Sequence, residues 1–488
     1  MWDAVVVGSG PNGLTAAVVL AMRGCSVLVL EANERIGGGA RTSELTLPGF
    51  HHDVCSAVHP LAAGSPVFRM LPLEEHGLRW LHAPVELAHP LDGGRAGAVW
   101  RDLATTVEHM GVDGKAWRRL VGPLAEEWDE LAPMIMGPLF RVPRHPLALA
   151  RFGLPSLAPS QLLGRTVLRT DEARAVLAGC AAHSFLPLSR PLTSSFGLML
   201  LASAHAVGWP VAEGGSQAIS DALASLLRAR GGTIETSRPV RAMADIPAAR
   251  AVLFDVGPRT IDDIAGDRLP KHFRARLRRY RYGPAAFKVD YALDGPVPWA
   301  NELCREAGTV HVVGTDREAA EAESAVAKGH HPDRPIVLTA QQSLVDRSRA
   351  PEGQQALWAY THVPKGSTVD VTDALERQIE RFAPGFRDRI LARRVLTPQW
   401  FEEYNSSYVG GNIAGGSNGG LQLAFRPVVG RPYRTPDRTL FMCSAATPPG
   451  GGVHGMAGYH AARTALDGIL GEGAGATSLP FDPASART

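Results

Sequence analysis

Six residues near the amino terminus, Gly8-Ser9-Gly10-Pro11-Asn12-Gly13, hold glycines at the GxGxxG spacing. That spacing serves the binding of a pyrophosphate. One glycine allows a tight turn, one lets the backbone approach the phosphates, and one lets a helix pack close to a strand. The phosphates then rest on free N–H groups at the helix amino terminus. Glu31 closes the next strand-like run after Gly13, the place where a carboxylate accepts hydrogen bonds from ribose hydroxyls, and Ala32 stands beside it. The spacing alone is weak, because with 52 glycines in 488 residues it arises by chance about 0.6 times in such a chain. Context strengthens it. Val5 to Val7 reads as a strand, Leu14 to Arg23 as a helix stopped by Gly24, and Ser26 to Leu30 as a second strand that delivers Glu31. This order is a βαβ unit.

Two further clusters share this chemistry. Glu34-Arg35-Ile36-Gly37-Gly38-Gly39-Ala40-Arg41-Thr42 follows the ribose position directly. Gly38, Gly39 and Ala40 suit a second close approach to the same pyrophosphate, with Arg35 and Arg41 as nearby positive charges or as plain loop charges. GxGxxG recurs at Gly450, Gly452 and Gly455, inside Thr447-Pro-Pro-Gly-Gly-Gly-Val-His-Gly-Met-Ala-Gly-Tyr-His460. The short stretch of chain after Gly455 supplies one helix, Met456 to Leu470, and a Gly/Ala/Ser/Pro tail. Without a following strand this is not a second βαβ unit. The cluster is expected to close on the ligand that the first motif binds.

The elements that must position these loops fit an ordinary globular chain. Apolar residues make up 45% and charged residues 20%, and the formal net charge is +2, so disorder and a nucleic-acid footprint are both poor readings. Five widely spaced cysteines, with no CxxC pair, fit a reduced, cytoplasmic setting without structural zinc. The N-terminal MWDAVVVGSG reads as a strand and not as a signal peptide. The longest apolar stretch, Phe196 to Ala212, is broken by Ser203, His205 and Pro210, so the expectation is a soluble protein or one at most peripheral on a membrane. Trp117 to Leu131 and Thr193 to Val207 carry helical patterns, and Phe287 to Leu293 and Ala356 to Val363 carry strand patterns.

Together the motifs resemble the flavin-binding superfamily of phytoene desaturases, retinol saturase and monoamine oxidases. The resemblance also covers Gly214-Gly215 with the helix after it, Gly231 to Val240, Ala251 to Gly257, and Tyr404-Asn-Ser-Ser-Tyr-Val-Gly-Gly-Asn412 through Tyr459. The last stretch is most similar to the soluble phytoene-desaturase-like branch. The resemblance implies FAD and an α/β fold, a Rossmann-type FAD-binding domain discontinuous in sequence (residues 1–70, 212–266 and 434–472). A substrate domain of mixed sheet and helices would be inserted as 71–211 and 267–433, with a flexible tail at 473–488. It further implies adenine contact by the Val240 backbone, a strand over Arg438 to Ser444, and a turn with Gly452, Val453 and His454 against the cofactor. The helix from Met456 would then point its amino terminus at the flavin ring, where about half a positive charge stabilises a reduced, anionic ring. Two departures stand out. Gly39 occupies the arginine position of the GGR loop found in many members, which passes the charge role to Arg41 or Arg35. Ser444-Ala445 replaces the usual Gly-Asp, so the usual carboxylate contact to the cofactor is missing.

A flavin oxidises a C–H bond held over its ring, and the protein supplies position and electrostatics. His454, in the turn expected at the ring, and His59, after the second glycine loop, are the candidate acid/base groups, each against a purely structural role. His183 and His205 sit among apolar residues and are expected as satisfied core histidines. Trp209 and Tyr291 line a cavity or belong to plain core. Arg274, Arg276, Arg278, Arg279 and Arg281 form a basic run, of which Arg274, Arg278 and Arg281 would share a helix face. That face is either solvated or docked on an anionic membrane. The reading is an FAD-dependent dehydrogenase, desaturase or oxidase acting on a mainly apolar small molecule, with oxygen or a quinone-like compound as electron acceptor. A redox-neutral flavin isomerase, an amine oxidase-like enzyme and an FAD-stabilised interaction module remain alternatives.

Overall fold

In the parallel sheet that opens the chain, Trp2–Val7 lies at the centre, flanked by Val27–Leu30 and Thr233–Glu235 on one side and by Ala249–Phe254 and Leu440–Met442 on the other. The computed structural model describes residues 1–138 and 142–471, and the expected tail lies outside the described residues. Strands buried on both faces read as continuous apolar runs, and here alternate residues serve opposite faces. Ala4, Val6, Val27, Val29, Ala251 and Leu253 join the core beneath the helices Pro11–Ala21, Gln217–Ala229 and Met456–Leu466. Val7, Val252, Phe254 and Met442 pack on the other face with the helices Pro258–Ala265 and Lys271–Arg278.

The second sheet is mixed. Its seven strands run in the order Ile390–Leu396, Ala285–Leu293, Gln355–Val363, Val337–Ala340, Ala307–Val312, Val85–Leu91 and Arg95–Val99. All pairs are antiparallel except Ala307–Val312 with Val85–Leu91. Helices between 103 and 206 form a lobe against it. The expected helix over Trp117 to Leu131 is two helices, Gly114–Glu126 and Trp128–Ile135. The chain turns at Glu127, and the Trp128 indole is buried with its N–H donating to the Gly64 carbonyl. The C-terminal helix stops at Leu466, earlier than expected, and its strand pairs only over Leu440–Met442. The stretch Gly231 to Val240 pairs only at Thr233–Glu235.

The basic run does not form one arginine face. Its helix ends at Arg278, Arg274 and Arg278 both pair with the buried Asp262, and Arg281 lies past the helix, bonded to the 417–422 segment. Among the described residues, no helix is long and apolar enough to cross a membrane.

One contact ties the two ends of the chain together. The C-terminal helix crosses the first helix so closely that a Cβ on Gly458 would stand 1.9 Å from the Asn12 carbonyl oxygen. Neither partner is a flexible side chain. Gly458→Ala is therefore expected to destabilise by about 1 to 3 kcal/mol or more, read as a lower urea midpoint with an unchanged slope. Gly153→Ala, in a helix with open space around it, should be neutral or slightly stabilising. Equal midpoints for the two variants would show that the helices can part at no cost.

Candidate active site

A cavity of about 830 Å³ begins at the first glycine loop and Glu31, at the carboxyl ends of the parallel strands. It passes Gly38 to Arg41 and the Pro448 to His454 turn, and it extends to Met136, Phe152 and Met199 of the helical lobe. Its location follows from topology, since open α/β sheets bind ligands at the carboxyl ends of their strands.

Most of the sequence-derived positions meet here. Gly8, Gly10, Pro11, Asn12, Glu31, Ala32, Gly38, Gly39, Ala40 and Arg41 line the cavity, as do Val240, Ser444, Gly452, Val453, His454 and His59. Glu31 is held firmly at its wall. One carboxylate oxygen accepts from the Ser9 N–H (3.0 Å) and hydroxyl (2.5 Å), and the other from the Asn33 backbone (2.9 Å) and side chain (2.8 Å). Arg41 reaches the second oxygen at 3.4 Å, donates to the Ile36 carbonyl and lies 5.3 Å from the Tyr404 ring centre. A Cβ at residue 39 would stand 2.2 Å from the Tyr408 hydroxyl, so an arginine there would require Tyr408 to move.

Three expected positions are not on the cavity wall. Arg35 turns away and donates to the Thr42 carbonyl and the Ser43 hydroxyl, so Arg41 alone of the two arginines faces the site. Gly13 is buried, and its N–H is taken by Asp255 Oδ2 at 2.9 Å. Met456 is core, with its N–H donating to His454 Nδ1 at 3.1 Å.

Asp255 is a residue that motif reading passed over. It follows the Ala249–Phe254 strand and sits directly under the glycine loop, where a Cβ on Gly10 would stand 2.6 Å from its Oδ2. Burial pushes its carboxyl up to about 8, and the nearby Glu31 carboxylate pushes the same way. At neutral pH it is a neutral acid, so it props the loop without setting a negative charge beneath a bound pyrophosphate. Arg238, also on the wall, was not singled out either.

The two candidate histidines are buried and neutral. Burial drives each down to about 4. The Ser216 hydroxyl donates to the Ser56 carbonyl at 2.5 Å, so it accepts from His59 Nε2–H at 2.8 Å and leaves His59 Nδ1 bare. His454 Nδ1 accepts from Met456, so its Nε2 carries the proton. The free nitrogen of His59 is a lone pair without a protein partner, whereas the N–H of His454 lies toward the Gly450 carbonyl.

His205 is the satisfied core histidine expected, receiving the Trp117 N–H at 3.2 Å. His183 is not, because it lines the cavity together with Trp209. Tyr291 is core of the mixed sheet. Further along the wall, Trp358 stands 4.9 Å from Tyr360, and its N–H donates to the Cys55 carbonyl. Behind Trp358 lies a buried ion pair, Lys288 with Asp290. Two charges at i and i+2 in the otherwise apolar run FKVDYAL were the available signal, since such residues share one face of a strand.

Residues 6–71 match the model of the NAD(P)-binding Rossmann-like domain. The chain is 27% identical over 554 residues to pyridine nucleotide-disulfide oxidoreductase domain-containing protein 2 of Rattus norvegicus, covering 95% of this chain and 93% of that protein. It is 28% identical over 259 residues to hydroxyneurosporene desaturase of Cereibacter sphaeroides, covering 48% and 49% respectively. Putrescine oxidase, in a structure bound to putrescine, shares the fold with a TM-score of 0.62 at 19% identity, over 96% of this chain and 99% of that one. By these matches the chain is an oxidoreductase that carries a nucleotide-binding Rossmann-like domain over residues 6–71.

Asp255 makes the site pH-sensitive in a defined direction. Its carboxyl is raised to about 8, so it is neutral below that pH and becomes an anion beneath the loop above it. Affinity for FAD, used as the titrant, is expected to fall by about fivefold between pH 8 and pH 9 if only the neutral form binds well. Asp255→Asn, which keeps the shape without the charge, should bind FAD with a flat profile over the same range. Identical profiles in titrations of the two proteins would contradict this role.

Proposed function

We propose that the cavity holds FAD and that the chain takes a hydride from a C–H bond of a mainly apolar small molecule. The observation that carries this reading is the continuity of one cavity, from the glycine loop and Glu31 to an apolar chamber walled by Leu61, Ile135, Met136, Leu149, Phe152 and Met199. A dinucleotide laid from Glu31 toward the Pro448 to His454 turn would put its reactive ring between the two.

The residues fit such a group. The Asn12 side-chain oxygen on the cavity wall is buried and has no partner. Arg41 and Arg238 supply positive charge along the wall. The Met456–Leu466 helix starts from the Pro448 to His454 turn, so its positive end faces the place proposed for the ring. FAD would supply the hydride acceptor. The chain would orient the substrate carbon against it and exclude water with the lobe's apolar side chains. His59 would offer a lone pair there and His454 an N–H donor.

Oxygen or a quinone-like compound is the proposed electron acceptor. A nicotinamide would need its own phosphate-binding βαβ unit. The second glycine cluster is instead part of the same cavity wall, and its helix packs on the first helix.

The purified protein should release about one equivalent of FAD on denaturation. Glu31→Ala should weaken FAD binding by about tenfold or more, since charge-assisted hydrogen bonds contribute roughly 1.5 to 3 kcal/mol each. A protein that neither carries nor binds FAD would sink the proposal. In stopped-flow mixing, NADH and NADPH should leave the flavin oxidised on the timescale of turnover. Rapid bleaching by either would reveal a nicotinamide site.

A further inference from the structure

Two buried histidines, His89 and His311, and the half-buried His183 stand in a row between the mixed sheet and the Asp171–Ala182 helix. His89 and His311 lie on the paired parallel strands Val85–Leu91 and Ala307–Val312, where Ala88 is opposite Val310, so the two histidines are neighbours on one face. His183 caps the helix at its carboxyl end and lines the cavity. His183 Nε2 and His311 Nε2 are 3.3 Å apart, and His89 Nε2 lies 2.7 Å from the Gly314 carbonyl oxygen. Gly179 of the helix makes room between the other ring nitrogens. A Cβ there would stand 2.5 Å from His311 Nδ1 and 2.9 Å from His89 Nδ1, and neither nitrogen has a protein partner. Among the described residues, no cluster of histidine, cysteine or acid side chains has the geometry of a metal site.

The Gly314 carbonyl sets the direction of this row. A carbonyl oxygen only accepts, so His89 Nε2 carries the proton and its Nδ1 is bare. Burial keeps the rings neutral, with one N–H each. If His311 Nδ1 were also bare, two lone pairs would share a buried space without a donor. With the proton on Nδ1, His311 instead presents a bare Nε2, which accepts from His183 Nε2–H. His183 Nδ1 is then left as a lone pair.

We infer that His183 Nδ1 is a hydrogen-bond acceptor at the cavity wall, positioned by His311 and His89, and that it binds the hydroxyl of an otherwise apolar alcohol. The inference rests on the proposed reading of the cavity as a substrate chamber. Thr309, two residues before His311 and so on the same strand face, also lines the cavity, and its hydroxyl is buried without a partner. A substrate hydroxyl can donate to His183 and accept from Thr309, which matches both groups. A carboxylate would set its own lone pairs against that of His183. An ammonium would have no counter-charge there, because the acids of the cavity wall are Glu31 and Asp255 at the glycine loop and Glu403 on the Pro398–Tyr404 helix. Trp209, 6.0 Å from the His183 ring and 5.6 Å from that of His311, covers the pair with an aromatic face.

Calorimetric titration of the purified protein with 1-octanol, methyl octyl ether and octanoate tests the assignment. The alcohol should bind about tenfold more tightly than the ether, the value of one net hydrogen bond, and octanoate more weakly than either. In His183→Phe the alcohol and ether should bind within about twofold of each other, with ether affinity retained. His311→Leu, which removes the positioning partner but leaves His183, should lose part of the preference. Equal binding of alcohol and ether to the wild-type protein, no binding of either, or an undiminished preference in His183→Phe would overturn the inference. FAD content measured on the same samples separates the two claims. A flavin-loaded protein without the preference refutes only the histidine row, and a flavin-free protein with it refutes only the cofactor reading.

Discussion

Backbone against backbone contact at the carboxyl ends of the parallel strands is the constraint on which the rest of the structure depends. The first glycine loop lies on Asp255 at the end of the Ala249–Phe254 strand, and the C-terminal helix presses on Asn12 through Gly458. Segments from the start, the middle and the end of the chain, around Gly10, Asp255 and Gly458, meet within a few ångströms at one strand edge. The mixed sheet and the helical lobe lie between these segments in sequence, and the cavity is lined by the glycine loops together with residues of those intervening elements.

The chemistry of the site is shaped by burial more than by charge. His59 and His454 are kept neutral, Asp255 is kept protonated, and Lys288 is matched by Asp290. His59 and His454 keep a fixed hydrogen-bonding direction because they do not change protonation near neutral pH, whereas Asp255 loses its proton only around pH 8. Fixed donors and acceptors in a largely apolar cavity orient a ligand without reorganising when it binds. Apart from Glu403, the charged side chains of the wall, Glu31, Arg41 and Arg238, sit along the stretch that fits a dinucleotide.

Much of this was legible in the sequence, for reasons that differ from residue to residue. Glycine spacing reports on backbone geometry, so the first loop, Gly38 to Ala40 and the turn to His454 could be placed against one ligand from spacing and order. Local pattern says less about where a side chain ends. Arg35 and Arg41 are equivalent in sequence, yet Arg41 is drawn inward by Glu31 and Tyr404 while Arg35 ties down a strand. Gly13 and Met456 occupy motif positions, but their N–H groups are claimed by Asp255 and His454. Asp255 and the three-histidine row depend on partners remote along the chain, which no local window contains. The lobe's helix breaks, such as that at Glu127, follow from how Trp128 enters the core and not from periodicity.

The central claim is that one continuous cavity, lined by the glycine loops, holds the dinucleotide with its ring at the Pro448 to His454 turn. A crystal structure of the protein grown with FAD would test this most directly. The account predicts unbroken difference density from Glu31 past Gly10 and Gly38 to Gly452 and Val453, with the helical chamber open beyond the ring. Density for FAD in any other place or reversed along the cavity, or a cavity closed by its own side chains, would contradict it.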